Sequence, residues 1–179
     1  MARYIALLRG INVGGNKKVP MAQLRALMEG LGYTGISTLL QSGNAVFTSK
    51  EKSSAKVIKQ LEAAIAEEFG FEVSVVLRTR DELAAAIQAN PLPGAEEDPS
   101  HFLVTFLSAM PEPKRLQAIN PAAYLPDEFR AVGREIYARF PNGIGTSKLA
   151  TVFTEAKLGV VPTGRNWNTV KKLLELADG

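Results

Sequence analysis

The chain contains no cysteine. That excludes disulfides, thiolate nucleophiles and cysteine-ligated zinc in one step. It contains a single histidine, His101, so a multi-histidine metal site is excluded as well. No apolar run approaches the ~20 residues of a membrane helix. The N-terminal apolar run is too short for a secretory signal, and Arg9 follows it at once. No segment is of low complexity, which argues against disorder. Together these absences predict a cytoplasmic protein. What is present is 179 residues, 46% of them hydrophobic, enough for a core in one domain or in two small lobes.

The net charge of +3 is modest, but it is unevenly spread. Residues 1–50 carry six Lys or Arg against one acid, Glu29. Residues 81–128 carry two bases against eight acids, and residues 129–179 carry eight bases against four acids. Both ends are basic and the middle is acidic. A positive face forms if the ends meet in space; otherwise the charges are spread over a solvated surface.

Periodicity gives an order of elements. Tyr4 to Arg9 reads as a covered strand, apolar on both faces. Pro20 opens a helix whose apolar positions are Met21, Leu24, Leu27, Met28 and Leu31, and Gly32 stops it. Ile36 to Gln41 and Ala45 to Thr48 read as strands joined by a Ser42-Gly43-Asn44 hairpin. Ser53 or Ser54 caps a helix with a stripe through Ile58, Leu61, Ile65 and Phe69, ended by Gly70. Val73 to Arg78 is a Val-rich strand. This β-α-β-β-α-β order is the ferredoxin-like unit. Thr79 and Glu82 then fit a capping box for a further helix, which Asn90-Pro91 stops.

After residues 91–100, with three prolines and three acids, the pattern starts again. Phe102 to Leu107 is a strand and Glu112 to Ile119 a short helix. Phe129 to Val132 and Glu135 to Phe140 form a second hairpin around Gly133-Arg134. Leu149, Val152, Phe153 and Ala156 mark one helix, stopped by Gly159. A short extended piece leads to a last helix with Trp167, Val170, Leu174 and Ala177. The predicted fold is α+β, with two ferredoxin-like (βαββαβ-type) subdomains and antiparallel sheets. Its boundaries are 1–78 for the first subdomain, 79–100 for a helix and acidic Pro-rich linker, and 101–179 for the second. One continuous α+β domain is the alternative.

Three segments are candidates for binding. The first is Arg9 to Lys18, where Asn12, Gly14, Gly15 and Asn16 lie among the cations Arg9, Lys17 and Lys18. A glycine-rich turn between strand and helix frees backbone N–H groups, and the cations make the spot attractive to an anion. Gly10 and Gly15 have the outer spacing of a phosphate loop. Asn16 stands where its lysine belongs, however, and no Ser or Thr follows Lys17. The bland reading is that the glycines supply positive φ and the lysines are solvated.

The second is Ser42-Gly43-Asn44, which ordinary hairpin chemistry also explains. In a ferredoxin-like unit its tip is expected at the opposite end of the sheet from the first loop. The third is Thr163 to Thr169. There Asn166 or Asn168 caps a helix, Arg165 offers a fork for phosphate or carboxylate, and Trp167 either stacks on a ligand or anchors the core. Upstream, Pro141 to Lys148 is a second glycine loop, with Ser147 as cap and Lys148 as cation. Ser53 to Lys56 matches S-x-x-K, but the S-x-N that follows it in penicillin-binding enzymes precedes it here. His101 has no nucleophile elbow to serve.

Several of these residues also carry a family resemblance. Ala6-Leu7-Leu8-Arg9-Gly10-Ile11-Asn12-Val13-Gly14-Gly15 resembles the opening signature of a widespread, mainly bacterial family, the domain of unknown function numbered sixteen ninety-seven. Val19-Pro20-Met21, Gln41-Ser42-Gly43-Asn44-Ala45-Val46-Phe47 and Asn166-Trp167-Asn168-Thr169 continue the resemblance along nearly the whole chain. It implies an α+β fold with ferredoxin-like subdomains. It implies no established activity, cofactor or catalytic residue.

The favoured reading is a binding protein for a phosphate-bearing ligand, nucleotide or nucleic acid, with no membrane partner. An enzyme acting on a small phosphorylated or carboxylated metabolite is one alternative, and a protein-interaction module is another. The residues specify neither a cofactor nor an oligomeric state.

Overall fold

The computed structural model describes all residues, 1–179. They form two compact units, Met1–Ala84 with Leu173–Gly179, and Ala85–Lys172. Each unit holds one four-stranded antiparallel sheet, so the α+β class with two ferredoxin-like subdomains stands.

The first unit runs β1 (Ala2–Leu8), α1 (Met21–Gly30), β2 (Thr34–Leu39), β3 (Asn44–Ser49), α2 (Ser54–Phe69) and β4 (Val75–Thr79), with strand order β2-β3-β1-β4. β1 is central. Its Tyr4, Ala6 and Leu8 join Leu24, Met28, Phe47, Leu61 and Ile65 in the core under the helices. Ile5 and Leu7 on the other face are buried too, as expected of a strand apolar on both faces. Tyr33 stacks on Phe47 at 4.5 Å between ring centroids, and Tyr4 lies tilted against the same ring at 5.6 Å. Ring pairs like these add about 1 kcal/mol beyond the area they bury. The stripe of α2 passes through Val57, Leu61 and Ile65, with Ile58 only partly covered. Ser53 caps α2 by accepting from Lys56 N, and Gly70 ends it in the left-handed conformation.

The chain leaves β4 through the capping box. Thr79 N donates to Glu82 Oε1 at 2.8 Å, and Glu82 N donates to Thr79 Oγ1 at 3.1 Å. These bonds start α3 (Arg80–Gln88). The second unit adds β5 (Phe102–Leu107), α4 (Pro113–Gln117), β6 (Glu128–Val132), β7 (Glu135–Arg139), α5 (Glu155–Leu158) and β8 (Pro162–Asn166). Its strand order, β6-β7-β5-β8, repeats the first position for position. The short extended piece of the sequence reading is thus β8, the edge strand that completes the sheet.

Two expectations need correction here. The helix expected through Leu149 to Ala156 is a 3-10 turn, Leu149–Thr151, followed by the separate helix α5. Thr154 breaks the run: its backbone is extended, and its side chain caps α5 by accepting from Lys157 N. In α6 (Trp167–Asp178) the buried apolar positions are Trp167, Val170 and Leu173, while Leu174 is only partly covered. The last residues of α6 group with the first unit. There the Arg3 guanidinium donates to the carbonyls of Leu176 and Ala177, both at 3.3 Å, and Arg80 pairs with Asp178 at 2.7 Å.

Candidate functional site

The Arg9–Lys18 segment folds as a miniature hairpin. Asn12 N donates to Lys17 O at 3.1 Å and Asn16 N to Val13 O at 3.0 Å. Gly14 and Gly15 sit between them with φ of 59° and 79°. Two successive positive φ values make a type I′ turn, which is why both positions are glycine. α1 begins only later, behind Pro20, which has extended φ and ψ and no side-chain cap. The turn projects ahead of the helix that Pro20 opens, as the sequence indicates, and it spends two of its N–H groups internally.

Asn12 holds this turn in place. Its own φ is 55°. Its Nδ2 donates to Val19 O at 2.9 Å and to Gln41 O at 2.7 Å, and its Oδ1 accepts from Val19 N at 2.8 Å. Gln41 belongs to the β2–β3 connection, so the two motifs lie at one end of the sheet. This overturns the expectation that they occupy opposite ends. The cause is topological. β3 pairs antiparallel with both β1 and β2, so β1 and β2 run the same way and finish together.

The hairpin packs hard against the first loop. Leu8 N donates to Gly43 O at 2.8 Å. A Cβ on Gly43, whose φ is +92°, would sit 2.7 Å from Ile11 Cδ1 and 2.8 Å from Leu8 Cβ. The turn proper is residues 40–43. Asn44 already pairs with Leu39 in the ladder and is wholly buried, its Nδ2 donating to Leu39 O at 2.8 Å and Ser42 Oγ at 3.1 Å. Asn12, Gly43 and Asn44 thus build the platform, while Ser42 is exposed on it.

The cations are disposed around that platform. Arg9 is partly buried, and its N–H donates to Ser74 O at 3.0 Å. Lys17, with φ 48°, donates from Nζ to Glu72 O at 2.8 Å, while Asn16 and Lys18 are exposed. Arg25 of α1, which the sequence reading passed over, donates to Thr38 Oγ1 at 2.5 Å, one residue before the end of β2. Its signal was weak, a lone arginine on the polar side of a helix. Leu40 was missed as well. It is exposed at the hairpin tip with φ 60°, and Val13 is exposed at the tip of the first turn.

The remaining candidates belong to the second unit. Asn166 caps α6, accepting from Thr169 N at 2.9 Å. Trp167 is buried edge-on to Phe102 at 5.3 Å, and its Nε1 donates to Glu96 Oε1 at 3.1 Å. Its ring is core and is not offered to a ligand. Arg165 is partly buried and donates to Gly164 O at 2.8 Å. Burial pushes its pKa down to about 10, so it remains a cation at neutral pH. Lys148 lies in the loop after β7, at the same end of the second sheet as Asn166, and β5 separates β7 from the β8 strand that carries Asn166. His101 Nδ1 meets Asp98 Oδ2 at 2.9 Å in an exposed turn. No helix is long and apolar enough to cross a membrane.

Comparison with known proteins adds a family and a fold. Residues 1–137 match the model of a family described as protein of unknown function, DUF1697. A solved structure of a conserved bacterial protein from Streptococcus pneumoniae is similar over 98% of each chain, with a TM-score of 0.75 and 24% identity. At that identity the likeness speaks for the fold alone. No curated protein matches the chain.

Proposed function

The chain belongs to DUF1697, a family of proteins of unknown function, and from the geometry of the site we propose that it binds a phosphate-bearing ligand, the backbone of a nucleic-acid strand. The contact is the end of the first sheet where the Asn12–Lys17 turn meets the Leu40–Gly43 turn.

One observation carries the reading. Asn12, Lys17 and Leu40 are the only non-glycine residues of the chain with positive φ, and all three stand at this end. Each left-handed residue costs about 1 kcal/mol or more, and such strain gathers where a surface is held in shape for a partner. The rest of the site is consistent with an anionic polymer. The 9–18 segment has three cations and no acid, and Arg25 adds a fourth beside the hairpin. Gly14 and Gly15 have nothing within 4 Å of where a Cβ would stand, so a strand can approach the backbone closely. A projecting turn suits an extended ligand better than an enclosed metabolite.

Fluorescence anisotropy with labelled single-stranded RNA and DNA, at several salt concentrations, tests the reading. Four phosphate contacts give a slope of log K against log salt of about −3 for a single strand. Lys18→Gln should weaken binding and flatten that slope by roughly one unit. Absent binding, or binding indifferent to salt and to Lys18→Gln, refutes it.

A further inference from the structure

We propose that the second unit carries its own small-ligand site, for a sugar phosphate, in the pocket between the loop before β6 and the loop after β7. The pocket is about 260 Å³, and Tyr124, Asp127, Asn142, Thr146, Ser147 and Lys148 supply its polar lining. This proposal is independent of the nucleic-acid reading, which concerns the first unit.

The groups in the pocket divide into those that build it and those it offers. Ser147 is a builder. Its Oγ donates to Asp127 Oδ2 at 2.6 Å and accepts from Ala150 N at 3.2 Å, which ties the two loops together. The bond leaves Asp127 Oδ1 as an acceptor. Asn142, Thr146 and Lys148 are exposed, and their side chains make no hydrogen bond or ion pair within the chain. The pocket therefore offers one cation without an ion-pair partner, one carboxylate oxygen, an amide and a hydroxyl.

That inventory specifies a ligand chemistry. Lys148 asks for an anionic group, and a phosphate satisfies it as a point charge. Asp127 Oδ1 asks for a hydroxyl donor, and Asn142 both gives and accepts. An anion bearing several hydroxyls fits all three, whereas inorganic phosphate leaves the carboxylate facing like charge. The volume is below the ~300–1,000 Å³ of drug-sized sites, which limits the ligand to about one sugar ring and its phosphate.

Backbone amide NMR titration with glucose 6-phosphate and ribose 5-phosphate tests the proposal, with glucose, ribose and inorganic phosphate as separate arms. A sugar phosphate should produce saturable shifts at residues 142–148. Lys148→Met should weaken it about tenfold, equal to the ~1.4 kcal/mol of one decade, and Asn142→Ala should reduce its preference over inorganic phosphate, leaving the part that Asp127 supplies. Both substitutions are at exposed positions, so the fold survives them. Lys18→Gln should leave this titration unchanged, which separates it from the first unit's site. No shift at millimolar sugar phosphate, equal binding of inorganic phosphate, or indifference to Lys148→Met overturns the proposal.

Discussion

Asn12 Nδ2 donates to the Gln41 carbonyl across 2.7 Å, and this one bond fastens the first glycine turn to the next hairpin. The same amide closes its own loop through Val19, by its Nδ2 and its Oδ1. Asn12→Ala removes all three bonds and leaves a non-glycine residue at φ 55° without its local support. A loss of about 2 kcal/mol is expected from the stranded partners. Asn12→Gly loses the same bonds but tolerates the φ, so it should be about 1 kcal/mol milder than Asn12→Ala. Urea unfolding of the two variants measures the difference. Equal stability of both with the parent chain would show that Asn12 does not hold the platform.

Gly43 and Gly14 both have positive φ, but they answer to different demands. At Gly43 a methyl group collides with Ile11 Cδ1 and Leu8 Cβ, and the latter belongs to the central strand and cannot swing away. Gly43→Ala should therefore cost about 3 kcal/mol, overpacking added to backbone strain. At Gly14 nothing lies within 4 Å, so Gly14→Ala meets the backbone term alone, about 1 kcal/mol. Thermal unfolding should rank them clearly. A reversed order would mean that the turn geometry, and not the packing under the hairpin, fixes this end.

Much of this was legible in the chain because it is local. Thr79 and Glu82 lie three residues apart and satisfy each other's amides, so their spacing alone predicts the helix start. The stops at Gly70 and Gly159 are local as well, and both glycines are left-handed. The meeting of Asn12 with Gln41 was not legible, because it depends on which way β2 runs, and a crossover decides that after the helix between them packs. Trp167 shows the other limit. Its place in a signature motif suited both stacking on a ligand and anchoring the core, with its helical spacing to Val170 favouring the core. Only the tertiary partners Phe102 and Glu96 decide for the core. Thr154 hid in a run of helical spacing because a cap and a helix-interior threonine look alike in sequence.

Thr163 makes a prediction of opposite sign to those above. It is buried on β8, and its Oγ1 has no hydrogen-bond partner. A buried hydroxyl without a partner carries its desolvation cost uncompensated. Thr163→Val keeps the β-branched shape and deletes the orphan oxygen. The variant should be more stable by about 1 kcal/mol, read as a raised urea midpoint at unchanged slope. A destabilised Thr163→Val would show that the hydroxyl meets a partner in solution.

Glu96 ties the acidic linker to α6, and the tie should respond to acid. Lys171 Nζ donates to Glu96 Oε2 at 2.9 Å, and Trp167 Nε1 donates to Oε1 at 3.1 Å. The Lys171 bond, then the Trp167 bond, hold the Glu96 carboxyl below its ordinary range. A carboxylate whose pKa is depressed by folding stabilises the fold above its unfolded value, and that contribution is lost as pH falls through the lower, folded value. Trp167 is the only tryptophan, so intrinsic fluorescence watches this contact directly. The emission should stay constant from neutral pH through the ordinary glutamate range and change only below it. Glu96→Gln keeps an acceptor for the indole but cannot titrate, so the acid step should disappear while the neutral spectrum is nearly retained. A step that persists in Glu96→Gln would assign the change to another carboxylate and release the linker from this contact.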